Sequence, residues 1–170
     1  NREDYYLSVS RLISHKRVDL VVEACTRLNK QLVVVGDGPE RQRLEALAGK
    51  TVHFAGRVTD EQLAALYRGA KALVFPSYED YGIVPLEAQA WGVPVLALGR
   101  GGSLETVQAG KTGIFFDEQR VESVIDAIHQ FESMKFDEND IRAWVGKFNP
   151  ASFIDGIRQF VDTGEIGSME

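Results

Sequence analysis

FPSYEDYGIVPLEAQAWG, residues 75–92, joins a strand signal to a helix signal through a loop rich in polar chemistry. The apolar run Ala72–Phe75 is halted by Pro76, a polar loop carries Glu79, Asp80, Tyr81 and Gly82, and a helix is predicted to begin near Val84–Pro85 and to bring in Glu87. Proline near a helix start is tolerated, because its missing N–H would have had no intrahelical partner. The loop amides after Glu79 are then donors at a positive helix end, a place suited to an anion or to hydroxyls. Glu79 and Glu87 flank that end, and two carboxylates are costly to hold together unless a polyhydroxylated ligand donates to them. Read singly, each is better explained as a solvated residue, Glu79 in a loop and Glu87 on a helix surface.

Outward from this stretch, strand and helix patterns alternate. Strands are predicted at Tyr5–Val9, Gln31–Val35, Val52–Ala55, Ala72–Phe75, Val95–Leu98 and Gly113–Phe116. Between them, Val18, Val21, Val22, Cys25 and Leu28 recur at helical spacing, as do Leu44 and Leu47. Thr59 and Gln62 have capping-box spacing and open a helix with Leu63, Leu66 and Tyr67 on one face. After Asp117 the pattern is wholly helical, with Val121, Val124, Ile125 and Ile128, then Ile141, Trp144 and Val145, then Phe153, Ile154, Ile157 and Phe160. Short apolar strands alternating with amphipathic helices predict an α/β fold. It is a doubly wound, Rossmann-like parallel sheet of about six strands with helices on both faces. One such domain fits residues 1–162, with 163–170 as a frayed tail or linker.

Composition narrows the function. A net charge of −6 without a basic run argues against nucleic acid as a partner. The single cysteine, Cys25, cannot form an internal disulfide and indicates a reducing compartment. No stretch approaches 18 apolar residues, and Tyr5 already opens a strand, so the chain reads as a piece of something longer. His15, His53 and His129 have no metal-ligand spacing, and there is no Asp-x-Asp pair for a divalent cation. His53 is predicted to be half-buried in its strand, and Trp91 and Trp144 to lie in the core. No Walker loop, Gly-x-Ser-x-Gly elbow or Gly-x-Gly-x-x-Gly occurs, and Ser10–Arg17 holds no glycine, which argues against a nicotinamide or flavin dinucleotide. No cofactor or metal is expected.

In parallel sheets ligands bind outside the carboxyl ends of the strands. There the sequence places Arg11 and Lys16 after the first strand, Gly36-Asp37-Gly38-Pro39 after the second and Gly56-Arg57-Val58 after the third. Glu79–Gly82 follow the fourth, and Gly99-Arg100-Gly101-Gly102-Ser103 the fifth. Arg11 and Lys16 suit a diphosphate, Arg bidentately, although most such residues only pair with surface carboxylates. Gly36–Pro39 reads as a plain strand-to-helix turn. Gly101-Gly102-Ser103 would either cradle phosphate through its amides or cap a helix through Ser103.

Together these loops resemble the C-terminal, nucleotide-sugar-binding domain of family 4 retaining glycosyltransferases, which have the two-domain GT-B fold. The matching motifs are SRL-x-x-x-K (10–16), GDGPER (36–41), GRV-x-D-E-x-L (56–63), PS-x-E-x-Y-G (76–82), GVPV (92–95) and GG-x-x-E (101–105), in order over residues 5–162. The resemblance implies transfer of a hexose from a nucleotide diphosphate sugar to an acceptor hydroxyl, with retention and without a metal. Arg11 and Lys16 would bind the diphosphate, and Glu79 the hexose hydroxyls. Arg57 and Val58 would meet the nucleobase, and Glu87 the ribose hydroxyls. Amides from Tyr81, Gly82, Ile83 and Val84 would reach sugar and phosphate, with Gly101 and Gly102 completing the donor site.

EDYGIVPLEAQA with GRGGSLETV resembles bacterial mannosyltransferases of polysaccharide assembly, which implies GDP-mannose as donor. A glycan or lipid-linked acceptor would be met through an N-terminal domain absent here, so the fragment alone is expected to be inactive. A cytoplasmic location is implied, with the full-length enzyme at the inner face of the membrane. Tyr81 stands where the family usually has phenylalanine, Asp80 where glycine is frequent, and Arg17 where glycine commonly follows the lysine. The alternatives are a GT-B nucleotide-sugar epimerase or phosphorylase, or a non-catalytic nucleotide-sugar-binding or receiver-like domain. A receiver needs acidic residues where this first loop is basic.

Overall fold

The computed structural model describes residues 2–148 and Ile154. The predicted stripe Phe153, Ile157 and Phe160 and the tail 163–170 lie outside the described residues. Six strands form one parallel sheet: β1 (Tyr5–Val9), β2 (Gln31–Val35), β3 (Val52–Gly56), β4 (Ala72–Phe75), β5 (Val95–Leu98) and β6 (Gly113–Phe116). Their spatial order is β3-β2-β1-β4-β5-β6. The chain therefore starts in the middle, winds outward to β3, returns beside β1 as β4 and winds outward the other way. Five strands have the predicted bounds, and β3 runs one residue further, to Gly56.

Helices cover both faces, so the strands read as continuous apolar runs. Alternate residues still divide between two cores. On one face Tyr6, Leu32, Val34, Val74, Leu96 and Ile114 meet α1 (Val18–Arg27), α2 (Arg41–Leu47) and α6 (Val121–Glu132). On the other, Leu7, Val35, Leu73, Phe75, Val95 and Ala97 join Tyr67 of α3 (Asp60–Gly69) and Ala88 of α4 (Ile83–Ala90). The short α5 (Ser103–Thr106) and α7 (Glu138–Val145) lie beside α4. Helix α3 begins with the predicted capping box between Thr59 and Gln62. Asp137 caps α7 through the amides of Asn139 and Asp140. Each cap satisfies amides that the helix itself leaves open.

Three expectations need correction. His53 is exposed on the edge strand β3 rather than half-buried. Trp144 is not a core residue, and Trp91 only packs against the second core while partly exposed. Trp144 is partly exposed and donates its indole N–H to the Thr106 carbonyl at 3.0 Å, whereas Trp91 stacks under the Arg68 guanidinium at 4.9 Å. Both sit at element ends, where an indole can bury its ring and keep a wet edge. The residues before β1 are tied to the rest of the fold. Arg2 donates to the carbonyls of Ala70 and Trp91, both at 3.1 Å, just past the ends of α3 and α4. A guanidinium suits such ends, where carbonyls lack intrahelical partners.

At the amino edge of the sheet, Lys30 and Lys71 pair with Glu132 Oε1 at 2.6 and 3.0 Å, and the Tyr6 hydroxyl donates to it at 3.1 Å. Partial burial alone would raise the Glu132 carboxyl, but these three donors outweigh it and hold the group down to about 2. A carboxylate lowered on folding adds stability above its unfolded value, and that stability is lost as the pH falls through the folded one. Glu132→Gln should therefore cost about 1 kcal/mol at pH 7, solvent screening keeping the figure small. In urea titrations the gap between parent and variant should close as the pH falls from about 4.5 toward about 2; a gap independent of pH would contradict this assignment.

Candidate functional site

A doubly wound sheet opens a crevice where the chain reverses its direction of winding. Here that point lies between the carboxyl ends of β1 and β4. The loop after β1 turns through a short 3-10 segment, Ser14–Lys16, and the loop after β4 carries the PS-x-E motif. Across the crevice Lys16 Nζ meets Glu79 Oε1 at 2.6 Å, with both side chains largely buried (19% and 27% exposed). The buried Ser77 hydroxyl donates to the Lys16 carbonyl at 3.3 Å and fixes the two loops to each other. Ser77 lies inside a motif that pointed to its neighbour Glu79, and only the fold reveals its own contact.

Arg17, the residue after Lys16, stands where the family pattern commonly has glycine. Arg17 has φ 51°, a left-handed conformation in which glycine is free of strain and other residues are not. Its guanidinium pairs with Asp19 at 3.2 Å, a local contact that helps hold the turn.

Helix α4 starts at Ile83, one residue before the predicted Val84–Pro85. Its cap position, Gly82, has φ 76° and supplies no side-chain hydrogen bond. The first amides of the helix thus have no side-chain cap, and a positive helix end results. Tyr81 and Ile83 are half or more exposed (50% and 63%), Val84 is partly buried and Gly82 is buried. Glu87, one turn further on, bonds through Oε2 to the Tyr67 hydroxyl of α3 at 3.1 Å. The two carboxylates therefore do not share one donor: Glu79 has an ammonium and Glu87 a phenol.

Glycines bring the remaining loops to this rim. A Cβ on Gly36 would lie 1.9 Å from the Ser10 carbonyl oxygen, and one on Gly38 would lie 2.3 Å from that of Leu12. The GDGP turn is thus a spacer that lets the second loop lie backbone to backbone on the first, in line with its reading as a turn. In the fifth loop Gly102 donates its N–H to the Glu79 carbonyl at 2.8 Å. Its amide is committed inside the protein, which corrects the expectation of a donor-facing amide at Gly102. Ser103 is the first helical residue, not a cap. What Gly101 and Gly102 contribute is close approach, since a Cβ on Gly101 would stand 2.4 Å from the Glu79 carbonyl oxygen and one on Gly102 2.5 Å from the Tyr81 backbone.

Arg11 is exposed at the mouth of the first loop, and Arg57 is exposed beyond β3. Val58 is partly buried and lines the upper end of a groove of about 830 Å³. That groove runs past Ala55, Val33 and Leu66 to Glu3 and Asp4 at the amino edge. A second hollow of about 380 Å³ opens on the rim between Tyr78, Leu98, Arg100 and Gln119. Gln119, unmarked in the sequence, donates to the Pro76 carbonyl at 2.8 Å and ties the loop after β6 to the loop after β4. Among the described residues no group of His, Cys, Asp or Glu is placed to hold a metal ion, and no helix is long and apolar enough to cross a membrane.

This arrangement defines a class: a Rossmann-like domain with cations, carboxylates and a helix N-terminus at its topological switch point. Residues 1–145 match the family described as Glycosyl transferases group 1, and the chain belongs to it. It is 37% identical over 138 residues to a GDP-mannose-dependent alpha-(1-6)-phosphatidylinositol monomannoside mannosyltransferase of Mycobacterium tuberculosis, an alignment covering 71% of this chain and 36% of that protein. A GDP-mannose-dependent alpha-mannosyltransferase of Corynebacterium glutamicum is 30% identical over 141 residues, covering 81% and 34%. The chain thus spans about a third of the length of these relatives. Its fold matches a lipopolysaccharide outer core galactosyltransferase, WaaB, with a TM-score of 0.85 at 17% identity, over 97% of this chain and 50% of that one. The fold is that of the C-terminal domain of a GT-B glycosyltransferase.

The close approach of the fifth loop to the fourth can be tested through stability. Gly101 and Gly110 both have positive φ, 63° and 76°, but only Gly101 has backbone within reach of a Cβ. Gly110→Ala should cost about 1 kcal/mol, the strain of the left-handed conformation alone. Gly101→Ala should cost about 1–3 kcal/mol more, because the Glu79 loop must move. Equal losses in urea unfolding would show that the two loops are not in contact.

Proposed function

We propose that this chain is the donor-binding half of a family 4 retaining glycosyltransferase. Its donor would be a nucleotide diphosphate hexose, GDP-mannose first, and the hexose would pass to the hydroxyl of a glycan or lipid-linked acceptor held by an N-terminal domain. The observation that carries this reading is the meeting of Lys16 and Glu79 at 2.6 Å beside the uncapped start of α4. GDP-mannose is favoured by the names of two curated relatives. The full-length enzyme would work at the cytoplasmic face of a membrane.

The chemistry follows from charge. Breaking the bond between sugar and diphosphate leaves negative charge on the phosphate and positive charge on an oxocarbenium-like sugar. An ammonium has three donors, so Lys16 can keep Glu79 while it donates to a phosphate oxygen. Arg11, exposed at the mouth of the same loop, adds a bidentate partner. The uncapped amides at the start of α4 would be further donors held in place by the helix, and preorganised donors of this kind are usually the largest contribution to catalysis. Glu79, a carboxylate, accepts from hexose hydroxyls, and Glu87 accepts from ribose. Arg57 and Val58 border the base, with Val58 at the head of the long groove.

In the full-length enzyme Lys16→Ala should slow transfer by about 10²–10³-fold. Glu87→Gln should weaken donor binding by about 1.5–3 kcal/mol. Calorimetry with GDP, UDP and ADP sugars measures the second directly and ranks the donors. Parent-like binding by both variants would overturn the reading.

A further inference from the structure

Two tyrosines pack in or against the core on the α3 side of the sheet, and they use their hydroxyls differently. Tyr5 donates to the backbone carbonyl of Leu66 at 2.7 Å, an ordinary way to satisfy a phenol near a core. Tyr67 is only 2% exposed, within the core that includes Leu7, Leu73, Phe75 and Ala88, yet its hydroxyl donates to Glu87 Oε2 at 3.1 Å. Glu87 is itself an exposed residue on a different helix. A glutamate in that position gains nothing in solubility from a buried partner. What it gains is a fixed rotamer, because one of its two oxygens is held from inside the protein.

We propose that Tyr67 is a positioning residue of the donor site: its hydroxyl clamps Glu87 Oε2 so that Oε1 is held ready for the ribose hydroxyls of the nucleotide. The inference rests on the proposed role of Glu87 and adds to it the group that sets its geometry. Burial pushes the Tyr67 hydroxyl well above its usual range, and the Glu87 charge pushes it the same way. The phenol therefore stays protonated, and a donor, at any working pH. Its ring is held by the core on α3, so the clamp is rigid. A free glutamate would have to lose its rotamer freedom on binding, whereas a clamped one has lost it already. The effect should appear only with ligands that carry ribose hydroxyls, because nothing else on the nucleotide reads Glu87.

The test is a cycle on the 170-residue chain with two ligands, GDP and 2′,3′-dideoxy-GDP, and the uridine pair in parallel. Dissociation constants are measured by calorimetry for the parent, Tyr67→Phe, Glu87→Ala and the double variant. Tyr67→Phe keeps the ring in the core and removes only the oxygen. It should weaken the ribonucleotide by about 3- to 10-fold and leave the dideoxy compound unchanged. In the Glu87→Ala background it should have no further effect, because the two residues act as one unit. Equal weakening of both ligands, or full additivity with Glu87→Ala, would overturn the clamp and mark Tyr67 as a packing residue only. A parent that binds the ribo and dideoxy forms equally would overturn the role of Glu87 and the clamp together, while leaving donor binding standing. A parent that binds no nucleotide at all would overturn the donor reading itself.

Discussion

Everything at this site depends on the reversal of winding between β1 and β4. A parallel sheet has all its strand carboxyl ends on one edge, and each strand must leave that edge through a loop. Where two neighbouring strands send their chains to opposite sides, no helix crosses the gap, and a crevice remains. In this chain the two strands are β1 and β4, and the two loops are those with Lys16 and Glu79. The motifs lie 63 residues apart in sequence and meet as a hydrogen-bonded ion pair. Had β4 been added beyond β3, the same residues would stand at opposite ends of the sheet.

Around that crevice the protein uses glycine as a means of approach rather than as a source of flexibility. Gly36 and Gly38 seat the second loop on the first, and Gly101 and Gly102 seat the fifth on the fourth. Side-chain contacts add further ties, Ser77 to the Lys16 carbonyl and Gln119 to the Pro76 carbonyl. The loops are thereby joined to one another as well as to their strands. A rigid rim of this kind suits chemistry in which donors must be aimed before the charge develops.

The fold was legible because both faces of the sheet are buried. Each strand is a short apolar run, and several are closed by a proline or glycine, as Phe75 is by Pro76 and Val35 by Gly36. The placement of the loops was legible too, since Arg11, Lys16 and Glu79 all follow strands at the edge where a parallel sheet gathers its ligands, with Glu87 in the helix that the fourth loop opens. Contacts across the fold were not legible. Nothing near Tyr67 in sequence distinguishes a phenol that bonds to Glu87 from one that simply packs, because the partner is 20 residues away on another helix. The same holds for Gly102, whose amide could have served a ligand and instead serves Glu79. Trp144 looked like core from its helical phase, but α7 lies at the margin of the domain, where that phase buries only one edge.

The most direct measurement is a crystal structure of the chain with GDP-mannose bound. The account places the diphosphate between Lys16 and the start of α4, the hexose hydroxyls within hydrogen-bonding distance of Glu79, and the ribose on the carboxylate oxygen of Glu87 that Tyr67 leaves open. A donor bound in the hollow beside Arg100, or anywhere that leaves the Lys16–Glu79 pair without contact to it, would contradict the account.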